Sequence, residues 1–382
     1  MPDLERIYER LFAWAARRDF AGSDPFDGLN SRLLQATPLR KFPLPRLVLT
    51  QAVKRSPVDL RHLLGIPPGV NAKGIALFAL AELSRFRVTR DLTHKENARS
   101  LLDKLLDLGI PGDGTLAFGY NFDWQSRVFF IPKGTPTIVP TAFASQAFRE
   151  AAESLGDDRY CDAVQQIARF AATKLNRPVE TDSEICFSYT PVDTSCIYNA
   201  SLLAAECLAR SNDPDHKLLA LKAVNHVIRE QREDGAWAYG DQVSQSWVDN
   251  FHTAYVIQSI RRIGDELGWN DAAYHSYENG VRYWLWNFFL ENGTPKYYDD
   301  NTNPIDIHSA AVAIATLAEI NEVDRARKVA AWTCRNMLDT DGFFYYRIYG
   351  ALVDETPHMR WGQAWMAYAL ARLMEYPSVV KN

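Results

Sequence analysis

The sequence predicts an all-α protein in which six helical hairpins close into a ring, with an inner circle of helices inside an outer one. Two observations predict it. A short helix candidate rich in small apolar residues recurs six times, beginning near Asn71, Val139, Asp193, Asp249, Asp306 and His358, at intervals of roughly 50 to 70 residues. Between these lie longer amphipathic segments at 3–18, 97–108, 158–175, 214–232, 270–290 and 323–338. A period of that size is one hairpin plus a connection, and six hairpins in one chain suggest closure around a central cavity.

Each element has its own signature. The segment 3–18 is the first outer helix, followed by Asp24-Pro-Phe-Asp-Gly-Leu-Asn-Ser31 in a turn position. A Pro-rich insertion at 36–70 then precedes the first inner helix, Asn71-Ala-Lys-Gly-Ile-Ala-Leu-Phe. It could cover the mouth of the ring or brace its outside. The later inner segments, such as Ser201-Leu-Leu-Ala-Ala-Glu-Cys-Leu-Ala and Ala310-Ala-Val-Ala-Ile-Ala-Thr-Leu-Ala, are apolar or small nearly all round, as a helix enclosed by neighbours must be. The outer segments are one-sided: in 323–338 the charges come early, while Val329, Ala330, Trp332, Met337 and Leu338 form a stripe at helical spacing. Most outer helices end in Asp-Gly or Asn-Gly (Asp113, Asp234, Asn292 and Asp341) followed by alternating aromatics. These stop a helix, supply positive φ and suit short extended segments at the cavity mouth.

The repeat runs through all 382 residues without a linker, so the expectation is a single domain, 1–382. With 47% hydrophobic and 23% charged residues the composition is that of a globular protein, and a net charge of −5 gives no footprint for nucleic acid. No apolar run approaches the roughly 20 residues that span a bilayer. The start, Met-Pro-Asp-Leu-Glu-Arg, lacks a basic-then-apolar leader. A cytoplasmic protein, at most peripheral to a membrane, is expected. Five cysteines with no Cys-x-x-Cys spacing predict reduced, buried thiols rather than a disulfide framework or zinc site.

With these features the chain resembles the (α/α)6 toroid superfamily, which includes six-hairpin glycosidases, uronate lyases and sugar epimerases. Gln231-Arg-Glu-Asp-Gly-Ala-Trp237 looks like the Gln-x-x-Asp-Gly-x-Trp motif of triterpene cyclases. That family's Asp-x-Asp-Asp acid motif is absent, so the match reads as structure: Gln231 ties off a helix, Asp-Gly turns, and Trp237 packs beneath. The stretches 24–31, Trp247-Val-Asp-Asn-Phe-His-Thr253 and His358-Met-Arg-Trp-Gly-Gln-Ala-Trp365 resemble little-characterised bacterial polysaccharide-biosynthesis proteins. These resemblances imply a saccharide or lipid-linked oligosaccharide substrate and possible peripheral contact with a membrane synthase complex.

The mouth formed by inner-helix N-termini collects positive dipole ends and loops. Three of eight histidines, His252, His308 and His358, head consecutive inner helices. Histidine can give or take a proton near neutral pH, arginine can clamp a carboxylate, and an aspartate can orient an imidazole. The leading expectation is therefore proton-transfer chemistry on a uronic-type sugar, by epimerisation or β-elimination. In it His252 and His308 or His358 are base and acid, Asp249 orients His252, and Arg360 holds the substrate carboxylate. Histidine pairs across a sugar carbon occur in toroids of the N-acylglucosamine 2-epimerase type, a resemblance of placement.

Hydrolysis is the alternative, with Asp193 and Asp249 as the acid pair; Asp299 and Asp300 are weaker candidates and read better as a solvated turn. Asp193, Asp249 and Asp306 also fit plain helix N-caps. Trp124, Tyr189, Trp247 and Trp361, with Asp306, are candidate sugar contacts, since aromatic faces stack on sugar C–H surfaces. No metal or cofactor motif occurs. A non-catalytic saccharide-binding scaffold is a third possibility. Convergence of the three histidines and Arg360 on one pocket favours an enzyme; histidines buried against separate neighbours favour the scaffold.

Overall fold

A helix that is apolar on every side is stable only inside a shell of other helices, and this chain supplies that shell from its own amphipathic segments. The computed structural model describes residues 2–56, 58–125 and 130–376. The chain begins with α1 (Leu4–Ala16), α2 (Arg32–Gln35), α3 (Pro43–Arg55) and α4 (Arg61–Leu64). It continues with α5 (Ala72–Thr89), α6 (Leu92–Asp107), α7 (Ile138–Leu155), α8 (Asp158–Lys174), α9 (Tyr198–Ala209) and α10 (Pro214–Arg229). The last third holds α11 (Asn250–Leu267), α12 (Asp271–Asn287), α13 (Ile307–Glu319), α14 (Val323–Met337) and α15 (Ala364–Met374).

The odd-numbered helices from α5 to α15 form the inner ring, each against the next, and α15 packs back on α5 to close it. Helices α6, α8, α10, α12 and α14 lie outside, and α1 packs on α15 as the sixth outer helix. Every residue of α9 is buried, as its composition demands. Where one hairpin meets the next, an Asp-Gly turn abuts the neighbouring outer helix. Gly235 has φ of 92°, and a Cβ there would stand 2.6 Å from the Asn279 carbonyl oxygen in α12. Gly342 repeats the arrangement against Arg10 of α1, which joins the last unit to the first. The Gln231 motif plays a structural part: its side-chain NH2 donates to the Gly235 and Ser276 carbonyls, each at 2.9 Å, and the Trp237 ring lies against Gly280.

Short strands decorate the mouth. They are the antiparallel pairs β1 (Ile110–Pro111) with β2 (Leu116–Ala117), β3 (Trp124–Gln125) with β4 (Phe130–Ile131), and β5 (Val179–Glu180) with β6 (Ile185–Cys186). A three-stranded set joins β7 (Ile305–Asp306), β8 (Arg347–Tyr349) and β9 (Leu352–Asp354), with Asp306 opposite Arg347. The insertion is a lid over this end. Helix α3 packs on β3 and on the 3-10 turn Asp27–Asn30, and the Lys54 ammonium stands 4.2 Å above the Phe26 ring. The lid base is pinned by buried ion pairs, Arg61 to Asp27 at 2.9 Å and Arg360 to Asp24 at 2.6 Å.

Four expectations need correction. Helix α6 starts at Leu92, capped by Asp91, rather than at Asn97, because its polar first turn carries no apolar stripe to betray it. Helix α9 is preceded by Ile197, not capped by Asp193. The interior of the ring is filled where Phe143 of α7, Tyr255 of α11 and Trp365 of α15 meet edge to face or tilted, at centroid distances of 5.3 to 6.0 Å, instead of standing open there as expected. Cys186 and Cys196 form a disulfide and Cys161 is exposed, so the uniform set of buried thiols does not hold; Cys207 and Cys334 are free and buried. The disulfide links β6 to the loop before α9, a connection that periodicity in the helices could not reveal.

Candidate active site

An aspartate at a helix N-cap can use one oxygen for the backbone and keep the other for a neighbour. Asp249, at the head of α11, does both. Its Oδ1 accepts the His252 backbone N–H at 2.9 Å, while Oδ2 accepts the His252 Nδ1–H at 2.6 Å and the Trp247 Nε1–H at 3.1 Å. A carboxylate only accepts, so Nδ1 carries a proton, and in the neutral imidazole the lone pair lies on Nε2. The His252 ring also rests against Tyr239, 4.6 Å between centroids, and Tyr239 stacks on Trp247 at the same separation with a 16° tilt.

These side chains line one small pocket with Asn199, Trp237 and Thr253. Its free space is about 10 Å³, room for about one water molecule. Asn199 is buried, and among the described residues its side-chain oxygen has no hydrogen-bond partner. A buried acceptor needs a donor, and the pocket has room for one small donor group, a water or a ligand hydroxyl or N–H. Burial pushes the Tyr239 hydroxyl well above its usual pKa, with the charges of Asp249, Tyr120 and Asp193 adding to the effect. Tyr239 is therefore a neutral phenol with a proton to donate. Trp247 is 39% exposed and forms the open rim.

The other sequence-predicted residues sit elsewhere. Asp306 repeats the Asp249 arrangement at α13, accepting the His308 N–H at 2.7 Å and the Trp361 Nε1–H at 3.0 Å, but its second oxygen is ion-paired with Arg347. His308 is enclosed and stacked on Trp361 at 4.0 Å. Its Nδ1–H donates to the Trp361 carbonyl at 3.0 Å, and its Nε2 accepts from the Tyr255 hydroxyl at 2.9 Å, which in turn takes a 3.3 Å bond from Lys73. Burial, followed by the nearby Lys73, holds the His308 pKa well below its ordinary value. Burial likewise drives the Lys73 ammonium down, with Arg360 adding to it.

His358 is buried against the Ser23 hydroxyl, 3.0 Å from Nδ1, and the edge of Tyr346. Burial and the charge of Arg61 keep it neutral too. Arg360 donates from Nε and Nη2 to the two Asp24 oxygens, at 2.6 and 2.8 Å, so the edge of the guanidinium expected to clamp a substrate is occupied by the chain itself. Asp193 organises its own loop, accepting from Thr190 N–H and O–H at 2.6 and 2.7 Å and from Ser195. Trp124, Tyr189 and Trp361 form an aromatic floor under the lid, joined through Phe26 and through the Tyr189–Tyr120 hydroxyl pair. Asp299 accepts from the Tyr283 hydroxyl at 2.6 Å, and Asp300 lies exposed beside it.

The three histidines and Arg360 thus do not meet in one pocket. Among the sequence-predicted residues, Trp247, Asp249 and His252 do. Asn199 and Tyr239 complete the set; Tyr239 stood out in the sequence only as one aromatic among many, and Asn199 carried no signal beyond opening an inner helix. Lys73 had a visible one, a cation in an otherwise apolar helix.

No family model and no curated protein matches the chain. Solved structures do. Cellobiose 2-epimerase from Bacillus thermoamylovorans is similar with a TM-score of 0.61 at 11% identity, over 80% of this chain and 88% of that one. The GH76 α-mannanase of Bacteroides thetaiotaomicron gives 0.60 at 10% identity, over 80% and 86%. An unsaturated glucuronyl hydrolase specific for heparin gives 0.57 at 13%, over 79% and 86%. The shared property is the (α/α)6 toroid.

Proposed function

We propose that the protein is a carbohydrate-active enzyme that moves a proton on a saccharide, as an epimerase or a β-eliminating lyase, with His252 as the base. The observation that carries this reading is the Asp249–His252 pair lining one pocket with Tyr239 and Asn199. Asp249 fixes the tautomer and stabilises the imidazolium that forms when Nε2 takes a proton from a sugar carbon next to a carbonyl. Imidazolium gives that proton up to solvent, and a proton delivered by solvent to the opposite face inverts the carbon. In the alternative outcome a β-oxygen leaves, taking the Tyr239 proton, and Tyr239 recovers one from imidazolium through solvent. Sugar-active toroids among the similar structures support the substrate class. A lipid-linked oligosaccharide and a bacterial polysaccharide pathway remain part of this proposal.

The pocket holds about one water, so a saccharide enters only when the Tyr239–Trp247 stack at its rim moves. A uronate carboxylate would meet Arg360 only after displacing Asp24. Hydrolysis by Asp193 and Asp249 has less support, because each Asp193 oxygen already accepts from the backbone and a side chain of its own loop. The burial of His308 and His358 against separate neighbours favours a second reading, a saccharide-binding subunit without chemistry. As for setting, a disulfide belongs to an oxidising compartment, and in the cytoplasm Cys186 and Cys196 would be adjacent thiols.

Incubation in heavy water with a panel of neutral and uronate oligosaccharides, read by mass spectrometry, tests the proposal. One deuterium gained without cleavage means epimerisation, and an unsaturated fragment means elimination; both should vanish in His252→Ala. A water-added pair of fragments would move the assignment to hydrolysis. Saccharide binding with no isotope gain would establish the binding subunit.

A further inference from the structure

A surface helix normally turns its apolar stripe inward and its charges to water. Helix α3 of the lid buries Val53 but leaves a second apolar stripe facing outward. Leu44 and Val48, one turn apart, are 69% and 58% exposed, and Phe42 just before them is 56% exposed. Meanwhile Arg46 and Lys54 point into the molecule, Arg46 over the Phe130 ring at 3.9 Å and Lys54 over Phe26. Around the outward stripe stand the exposed cations Arg40, Lys41 and Arg55. Between Asp27 and Asp59 the sequence holds six basic residues and no acidic one, in a chain whose net charge is −5. The segment is thus a local cationic, apolar face on an acidic protein, placed on the lid rather than at random.

We propose that the outer face of α3, with the residues leading into it, docks on an anionic lipid bilayer. Apolar side chains inserted at the headgroup boundary, ringed by lysine and arginine, are the two features that interfacial segments combine. A second copy of this chain is a poorer occupant. A symmetric contact through this face would set Arg40, Lys41 and Arg55 of each copy against one another, with no carboxylate from the same stretch to answer them. Nucleic acid would leave Phe42, Leu44 and Val48 in water. Docking here would bring the covered mouth of the ring next to the membrane, whatever reaction takes place at His252.

The test is co-sedimentation of the full-length protein with vesicles of phosphatidylcholine alone or mixed with phosphatidylglycerol. Binding is expected only to the mixed vesicles, weakening as salt is raised. It should fall roughly tenfold or more both in the double variant Leu44→Ser, Val48→Ser and in the triple variant Arg40→Gln, Lys41→Gln, Arg55→Gln. All five side chains are exposed, so thermal midpoints should stay put and report an intact fold. Absence of binding, equal binding to both vesicle types, or binding untouched by the variants overturns the proposal. So does light scattering that shows a vesicle-free dimer converted to monomer by Leu44→Ser, Val48→Ser, which would make the face a contact between copies.

Discussion

Asp249 and Asp306 have the same local grammar, a cap followed by a histidine and joined by a tryptophan indole, yet only one of them leaves its histidine usable. At Asp249 the second oxygen takes the imidazole proton; at Asp306 it takes Arg347, and His308 turns to a carbonyl and a tyrosine instead. Asparagine caps a helix about as well as aspartate but carries no charge for the imidazolium. Asp249→Asn is therefore expected to lower turnover by roughly 10² to 10⁴-fold while moving the thermal midpoint little. A midpoint collapse with turnover per folded molecule unchanged would make Asp249 a cap alone. The sequence showed three histidines at equivalent positions and could not separate them. What separates them is the partner of each ring nitrogen: Asp249, three positions away, for His252, but residues more than 50 positions away for the others, such as Trp361 for His308 and Ser23 for His358.

The elements were legible where chemistry is local. Asn71, Asp249 and Asp306 cap the inner helices at the positions their residue types suggest, and Asp-Gly turns end the outer ones. The lid was not legible, because α3 exposes apolar Leu44 and Val48 while turning Arg46 and Lys54 inward, and its partners, β3 and the 24–30 turn, lie outside its own stretch of sequence. Its base depends on the Asp24–Arg360 pair, buried on both sides. Removing one partner of such a pair strands the other charge, so Asp24→Asn should destabilise the protein by about 3 kcal/mol in chemical unfolding. Limited proteolysis should then cut within 36–70 before the ring itself. Cleavage spread evenly along the chain would mean that the pair supports the whole toroid and not the lid in particular.

At the scale of the whole molecule, the repeat alone predicted a closed ring, and α15 against α5 closes it. It could not predict what fills the ring, since Phe143, Tyr255 and Trp365 come from three different hairpins and meet only after closure. That filling encloses His308, which lies against Tyr255 and Trp365, whereas His358 is buried elsewhere, against Ser23 and Tyr346. The most direct check is nitrogen NMR of the histidine side chains during titration with the saccharides of the panel. His308 and His358, held well below their ordinary pKa by burial, should stay neutral as the pH is lowered through about 6, and should not respond to sugar. His252 should show a proton on Nδ1 and an Nε2 signal that moves with saccharide. An unmoved His252 beside a shifting His308 or His358 would contradict the assignment of the site to the Asp249 pocket.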